Sequence, residues 1–238
     1  MPRILLIRHA SHDLLGRELV GRRSGVTLSR AGSAEAEALA ERLAQHPISV
    51  VYASPRERAI ETAKPIAERH RLDVQIAPEL DEVDFGTWTG LSFTELDKDP
   101  LWHRFNGKRA ITRVPGGESM AEVAARMTAI IKKSAVRQGA GEIAIVGHGD
   151  PLRIAVVSLL GLPIEAMLRL EIAPASLSIL RIDGAGEPKL ELLNDRSHCD
   201  LAFSAAHDTA RTCDGETCAR PMTQARATED RGEERSRA

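Results

Sequence analysis

An α/β fold with a mostly parallel central sheet, helices on both faces and one antiparallel edge strand follows from three features of the 238-residue chain. Short apolar runs without alternation recur, as strands buried on both faces do. Segments of helical periodicity separate them, and strand–helix alternation builds parallel sheets. Two of the runs, residues 4–7 and 143–146, end on Arg8-His9 and on Gly147-His148. Open α/β sheets bind ligands just beyond the carboxyl ends of their strands.

The elements follow in order. Arg3-Ile-Leu-Leu-Ile-Arg8-His9-Ala10 is the first strand and its exit. Residues 11–27, rich in glycine and arginine, read as a loop over the top of the sheet. Residues 29–45 form a helix with Ala36, Leu39, Ala40 and Leu43 on one face and Ser29 as N-cap. Residues 48–52 are the second strand, and Pro55 opens a helix that runs to His70. Residues 74–77 are a short third strand, followed by the acidic segment 79–90. Residues 91–117 are irregular, with short helices at 93–97 and 101–105, a length typical of a lid or substrate-selecting loop. A strongly amphipathic helix covers 118–137, with Val123, Met127, Ile130 and Ile131 at helical spacing. Residues 142–147 are the fourth strand, and the helix after His148 runs to Leu160, with Asp150 expected as its N-cap. Further strands are expected at 170–173 and 177–182, the latter paired with 190–193 as an edge hairpin.

Composition is that of a globular protein, with 42% hydrophobic and 28% charged residues. A net charge of -2 gives no pull toward nucleic acid or an acidic membrane surface. No apolar run approaches a membrane span. The first strand begins too early to leave room for a signal peptide, so a cytoplasmic location is expected. Residues 1–195 read as one domain and 196–238, where aliphatic side chains nearly vanish, as a flexible polar tail. His198, Cys199, His207, Cys213 and Cys218 cluster there, but their spacing matches no compact zinc knuckle, and no metal site is expected. A homodimer through an edge strand is compatible with the chain.

If the strand ends meet, Arg8, Arg58, His148 and Glu82 surround His9. Three cations and a carboxylate are what a phosphoryl group needs. Arginine forks match phosphate oxygens, and phosphoryl transfer is mostly positioning and charge stabilisation. A neutral histidine is nucleophilic near pH 7, and a carboxylic acid can protonate a leaving oxygen and then activate water.

These residues sit in motifs that resemble the histidine phosphatase superfamily, in its phosphoglycerate-mutase-like branch, over residues 3–182. The motifs are Leu6-Ile7-Arg8-His9-Ala10, the helix start from Ser54 to Ala63 carrying Arg58 and Thr62, and Leu80-Asp-Glu82-Val-Asp-Phe-Gly86-Thr-Trp88-Thr-Gly90. Pro115-Gly-Gly-Glu118-Ser119 and Val146-Gly-His148-Gly149 complete the set. The resemblance implies that His9 becomes phosphohistidine and that Arg8, Arg58 and His148 hold the phosphoryl oxygens. It implies Glu82 as proton donor and then base, with no metal and no organic cofactor.

Two positions depart from the family pattern. Ala10 stands where glycine is usual, which costs about 1 kcal/mol if the position needs positive φ; its carbonyl can still orient His9. Leu15 stands where the family has an asparagine near phosphate, leaving Ser11, His12 and Arg22 as substitute substrate contacts. Phe85-Gly-Thr-Trp88 and a modest lid, unlike the Tyr-Gly-x-Leu and longer lysine-bearing insertion of the metabolic mutases, point to a phosphatase of small phosphorylated metabolites. A mutase and an inactive adaptor of the same fold are the alternatives. The lid residues Arg104, Arg109 and Arg113 either bind a second anionic group of the substrate or are simply solvated.

Overall fold

Strand β1 (Arg3–Arg8) lies in the middle of a six-stranded sheet of order β3-β2-β4-β1-β5-β6. The structure is a computed structural model and describes residues 3–137, 141–183 and 186–199. β2 (Ile48–Ala53), β3 (Val74–Ile76) and β4 (Glu142–Gly147) run parallel to β1 through the pairs β1–β4, β4–β2 and β2–β3. β5 (Leu177–Ile182) pairs antiparallel with β1, and β6 (Pro188–Asp195) antiparallel with β5. The mixed, mostly parallel sheet is as expected, except that the reversed strand is β5, one place in from the edge. The edge strand β6 is its hairpin partner.

Ile4, Leu5, Leu6 and Ile7 are all fully buried, because side chains alternate across the sheet and both faces are covered. Leu5 and Ile7 pack on helices α1 (Arg30–Leu43) and α2 (Glu57–His70) through Leu39, Leu43, Ala63 and Ile66. Ile4 and Leu6 face α5 (Met120–Arg137) and α6 (Gly149–Leu159), meeting the cluster of Val123, Met127, Leu152 and Val156. Each such side chain withdrawn from water contributes roughly 1.5–3 kcal/mol. Ser29 caps α1 as its sequence position predicts, accepting from the Gly32 N–H at 3.1 Å.

The segment expected to be irregular carries α3 (Phe93–Leu96) and α4 (Pro100–Gly107). It is packed down rather than loose: Trp102 and Phe105 are buried against Trp88, whose indole N–H donates to Asp99 at 2.8 Å.

Two expectations need correction. Residues 170–173 form no strand, because their backbone groups serve other partners: the Ile172 carbonyl accepts from Arg8 and the Ala173 N–H donates to Asn194. Asp150 is not an N-cap. His148 holds that position, and the Asp150 carboxylate takes Arg109 at 2.6 Å and Arg153 at 3.2 Å instead. At the boundary expected after residue 195 the described structure continues to Cys199. Arg196 pairs with Glu35, and His198 and Cys199 are buried, with His198 hydrogen-bonded to the Ala175 carbonyl at 2.9 Å. His207, Cys213, Cys218 and the remainder of that expectation lie outside the described residues. Among the described residues no helix is long and apolar enough to cross a membrane.

Candidate active site

Register builds the site. β1 and β4 pair in parallel with Arg8 opposite Gly147, so the next residue of each strand, His9 and His148, emerges side by side. The His9 N–H donates to the Gly147 carbonyl at 2.9 Å, and the two imidazoles meet edge to face with centroids 5.2 Å apart. β2 pairs with β4 on the other side, Ala53 opposite Val146, which brings Ser54 against His148. α2 starts just beyond and carries Arg58 into the same space. Residues 78–84 then pass over the strand ends and deliver Glu82.

His9 is buried and its tautomer is set. Nδ1 lies 2.8 Å from the Ala10 carbonyl, an acceptor only, so Nδ1 carries the proton and Nε2 keeps its lone pair. Burial, with Arg58 and Arg8 alongside, holds the ring well below the usual histidine range and therefore neutral. The Ala10 N–H donates to Thr62 at 3.0 Å, which ties the loop to α2. Ala10 is not among the residues with positive φ, so alanine carries no backbone penalty there.

His148 is fully buried between Ser54 and Arg58. Its Nε2 is 2.7 Å from Ser54 Oγ, and its Nδ1 accepts from Arg58 Nη2 at 3.1 Å. Arg58 is 1% exposed and also donates to the Gly21 carbonyl, and Arg8 donates to the Ile172 carbonyl. Among the described residues neither arginine pairs with a carboxylate. The buried Nε and Nη1 of Arg58 and Nε of Arg8 have no protein partner. Guanidinium groups held only by neutral acceptors, with buried N–H groups left over, call for an anion.

The Glu82 side chain is 14% exposed, with Oε2 3.8 Å from His148 Nδ1 and Oε1 accepting from the Val83 N–H at 2.8 Å. Burial, reinforced by the Asp150 charge, pushes its carboxyl up to about 7 against the pull of Arg58. A carboxylic acid still protonated near neutral pH thus lines the same cavity as a neutral histidine.

The structure separates the proposed substitutes for the missing asparagine. Ser11 is turned away: its N–H donates to Glu35, and its carbonyl lies so close to α1 that a Cβ on Gly32 would come within 1.9 Å of it. Arg22 lies behind Glu82, donating to the Glu82 carbonyl at 2.8 Å and to Glu118 at 2.8 Å. Neither lines the cavity of about 120 Å³ bounded by Arg8, His9, Arg58 and Glu82; His12 does, and so does Leu15. The His12 ring is buried 5.4 Å from that of His9 with Nδ1 unpartnered, and burial with Arg58 and Arg8 nearby pushes it down to about 4.

Sequence reasoning left Glu118 and Arg126 without a role. Glu118 accepts from the Asp84 N–H, from Arg22 and from Arg126. Arg126 donates to the carbonyls of Glu79, Asp81 and Glu82 at 2.6, 2.7 and 3.1 Å. Together they clamp the loop that carries the acid. The Pro115–Ser119 motif was the available signal for Glu118: a Cβ on Gly86 would meet the Pro115 carbonyl at 2.1 Å, so the two segments touch only through glycine.

The model of the histidine phosphatase superfamily (branch 1) matches residues 4–196. The chain belongs to this superfamily. Among its relatives is a bifunctional protein of Mycobacterium tuberculosis, 31% identical over 198 residues, which are 82% of this chain and 54% of that protein. The chain thus spans about half the length of those mycobacterial relatives. A probable phosphoglycerate mutase of Enterobacter is 31% identical over 209 residues, 84% of this chain and 96% of its own. Among solved structures, a mycobacterial glucosyl-3-phosphoglycerate phosphatase superposes with a TM-score of 0.74 at 27% identity, over 81% of this chain and 98% of that one. The fold and the branch anticipated from the motifs are those of the histidine phosphatase superfamily.

Proposed function

We propose that this chain is a metal-independent phosphatase of small phosphomonoesters that works through a phosphohistidine at His9. The observation that carries this is the pair of arginines, Arg58 buried and Arg8 partly so, that have no carboxylate partner among the described residues and flank a histidine whose Nδ1 is taken by the Ala10 carbonyl, leaving Nε2 its lone pair. Membership of the superfamily and likeness to a phosphatase structure support it.

In the first half-reaction Nε2 of His9 attacks phosphorus while the ester P–O bond breaks. Glu82 gives its proton to the leaving oxygen, and the alcohol departs. The Ala10 carbonyl, already bonded to Nδ1–H, stabilises the charge that develops on the ring. Arg8 and Arg58 take the equatorial oxygens, with His148 alongside and His12 as a further contact. In the second half-reaction the Glu82 carboxylate removes a proton from water. The water oxygen attacks phosphorus, the P–N bond breaks, and phosphate leaves with Glu82 again protonated and His9 neutral.

The test is phosphate release from p-nitrophenyl phosphate and alkyl phosphates with chelator present, wild type beside His9→Ala. Release that depends on His9, with acid-labile and base-stable label trapped on the wild-type protein, is the expected result. Interconversion of 3- and 2-phosphoglycerate faster than phosphate release would overturn it in favour of a mutase. Release that survives His9→Ala, or a folded protein with no turnover, would remove the phosphohistidine reading.

A further inference from the structure

We propose that the site selects phosphomonoesters whose alcohol portion is uncharged or carries an amine, and rejects those with a carboxylate beside the phosphoryl group. This deepens the phosphatase reading and rests on it.

The charges on the cavity wall carry the argument. Its cationic side chains are Arg8 and Arg58, at the phosphoryl end beside His9. The wall beyond them is formed by Leu15, Leu19, Val20, Phe85 and Phe93, with Glu18 as the charged group among them. Several arginines of the surrounding loops are engaged elsewhere, and the exposed Arg17 does not line the cavity. Arg22 is held by Asp81, Asp84 and Glu118, and Arg56 by Asp81. Arg23 pairs with Glu18 on the outer side at 2.8 Å. Two of the three lid arginines are likewise spoken for. Arg109 is 6% exposed, bonded to Asp150 and stacked over Phe105, and Arg113 pairs with Glu122. Neither Arg104 nor Arg113 lines the cavity.

A phosphomonoester with a neighbouring carboxylate would therefore bring its second negative charge beside Glu18, where the cavity wall carries no arginine or lysine other than Arg8 and Arg58 among the described residues. Removing that charge from water without a partner is costly, and facing it with like charge adds to the cost. A hydroxyl, an aliphatic stem or an ammonium group suffers neither effect, and an ammonium gains from Glu18. The two relatives described above are named for phosphoglycerates, so this separates the chain from a simple transfer of their substrates.

Two matched substrate pairs test it on the unmodified protein. Glycerol 3-phosphate and 3-phosphoglycerate differ by a hydroxymethyl against a carboxylate. Phosphoethanolamine and phosphoserine differ by the carboxylate alone. The expected result is a kcat/KM at least about tenfold higher for the carboxylate-free member of each pair, as like-charge discrimination implies. Glu18→Gln should narrow both ratios, and Glu18→Lys should narrow them further or reverse them. Equal or better turnover of the carboxylates, with p-nitrophenyl phosphate still hydrolysed through His9, overturns the selectivity and leaves the phosphatase reading standing. If nothing is hydrolysed, the phosphatase reading fails. Calorimetric binding of the same four compounds then decides the selectivity: the same order supports it, and no discrimination, reversed order or no binding sinks it.

Discussion

Two ionisations at the site pull in opposite directions, and both favour catalysis below neutrality. Burial and Arg58 keep His9 neutral well below its usual range, so the nucleophile survives mild acid. Burial keeps Glu82 protonated up to about 7. As pH rises through that value the acid form is lost, so kcat/KM for alkyl phosphates should fall on the alkaline side and hold on the acid side to well below pH 6.5. Glu82→Gln should abolish the alkaline limb and lower the rate about 10²–10⁴-fold, less for p-nitrophenyl phosphate with its good leaving group. A pH–rate profile of both proteins checks this, and an unchanged alkaline limb in the variant would assign it to another group. His12 makes a second case. Its ring lines the site and its Nδ1 has no partner among the described residues, so His12→Ala should raise KM and weaken inhibition by inorganic phosphate by about tenfold, the worth of one buried hydrogen bond to a charged group. His12→Asn should recover part of the loss. Equal phosphate inhibition in all three proteins would remove His12 from the binding site.

The 78–84 loop has little regular structure of its own, yet it must hold Glu82 to within a fraction of an ångström. Arg126 on α5 supplies the rigidity by bonding three of the loop's carbonyls, and Glu118 holds Arg126 and Arg22 in place. Breaking one member of a largely buried charged network costs about 3–5 kcal/mol at most, because it strands the others. Arg126→Met should therefore lower the melting temperature. It should also displace the alkaline limb of the pH profile, since the surroundings of Glu82 change. A loss of stability with an unshifted profile would mean that the clamp supports the fold and not the acid. Glu118 is visible in sequence because it sits in a glycine-pinched motif. Arg126 is not, because one exposed-looking arginine in an amphipathic helix resembles any other until the loop it grips is known.

Taken together, the described contacts continue past the point where the composition changes. The last described residues close a small cluster of Ala10, Ala36, Ala175 and Cys199 behind the His9 loop, and the Ala175 N–H in turn donates to the His9 carbonyl. We propose that the domain extends at least to Cys199. A chain ending at Cys199 should melt near the full-length value. One ending at Asp195 should lose about 1–3 kcal/mol, from a buried hydrogen bond and the packing of Cys199, seen as a lower thermal midpoint. Equal midpoints for the two truncations would return the boundary to residue 195.

By itself the sequence determined the strand–helix order, the strands bearing His9 and His148, the cap at Ser29 and the residues that gather at the strand ends. All of these follow from local periodicity, caps and motif spacing, which need no knowledge of distant neighbours. Only the tertiary structure decided which way the remaining charges face. Arg22 comes from the same loop as His12, yet it is drawn behind Glu82 to Glu118, far away in sequence, and the Ser11 backbone N–H is taken by Glu35. Of the lid residues, Arg109 and Arg113 are held outside the cavity by Asp150 and Glu122. A side chain's direction is set by the partner that best offsets its desolvation, and such partners come together only when the chain is folded.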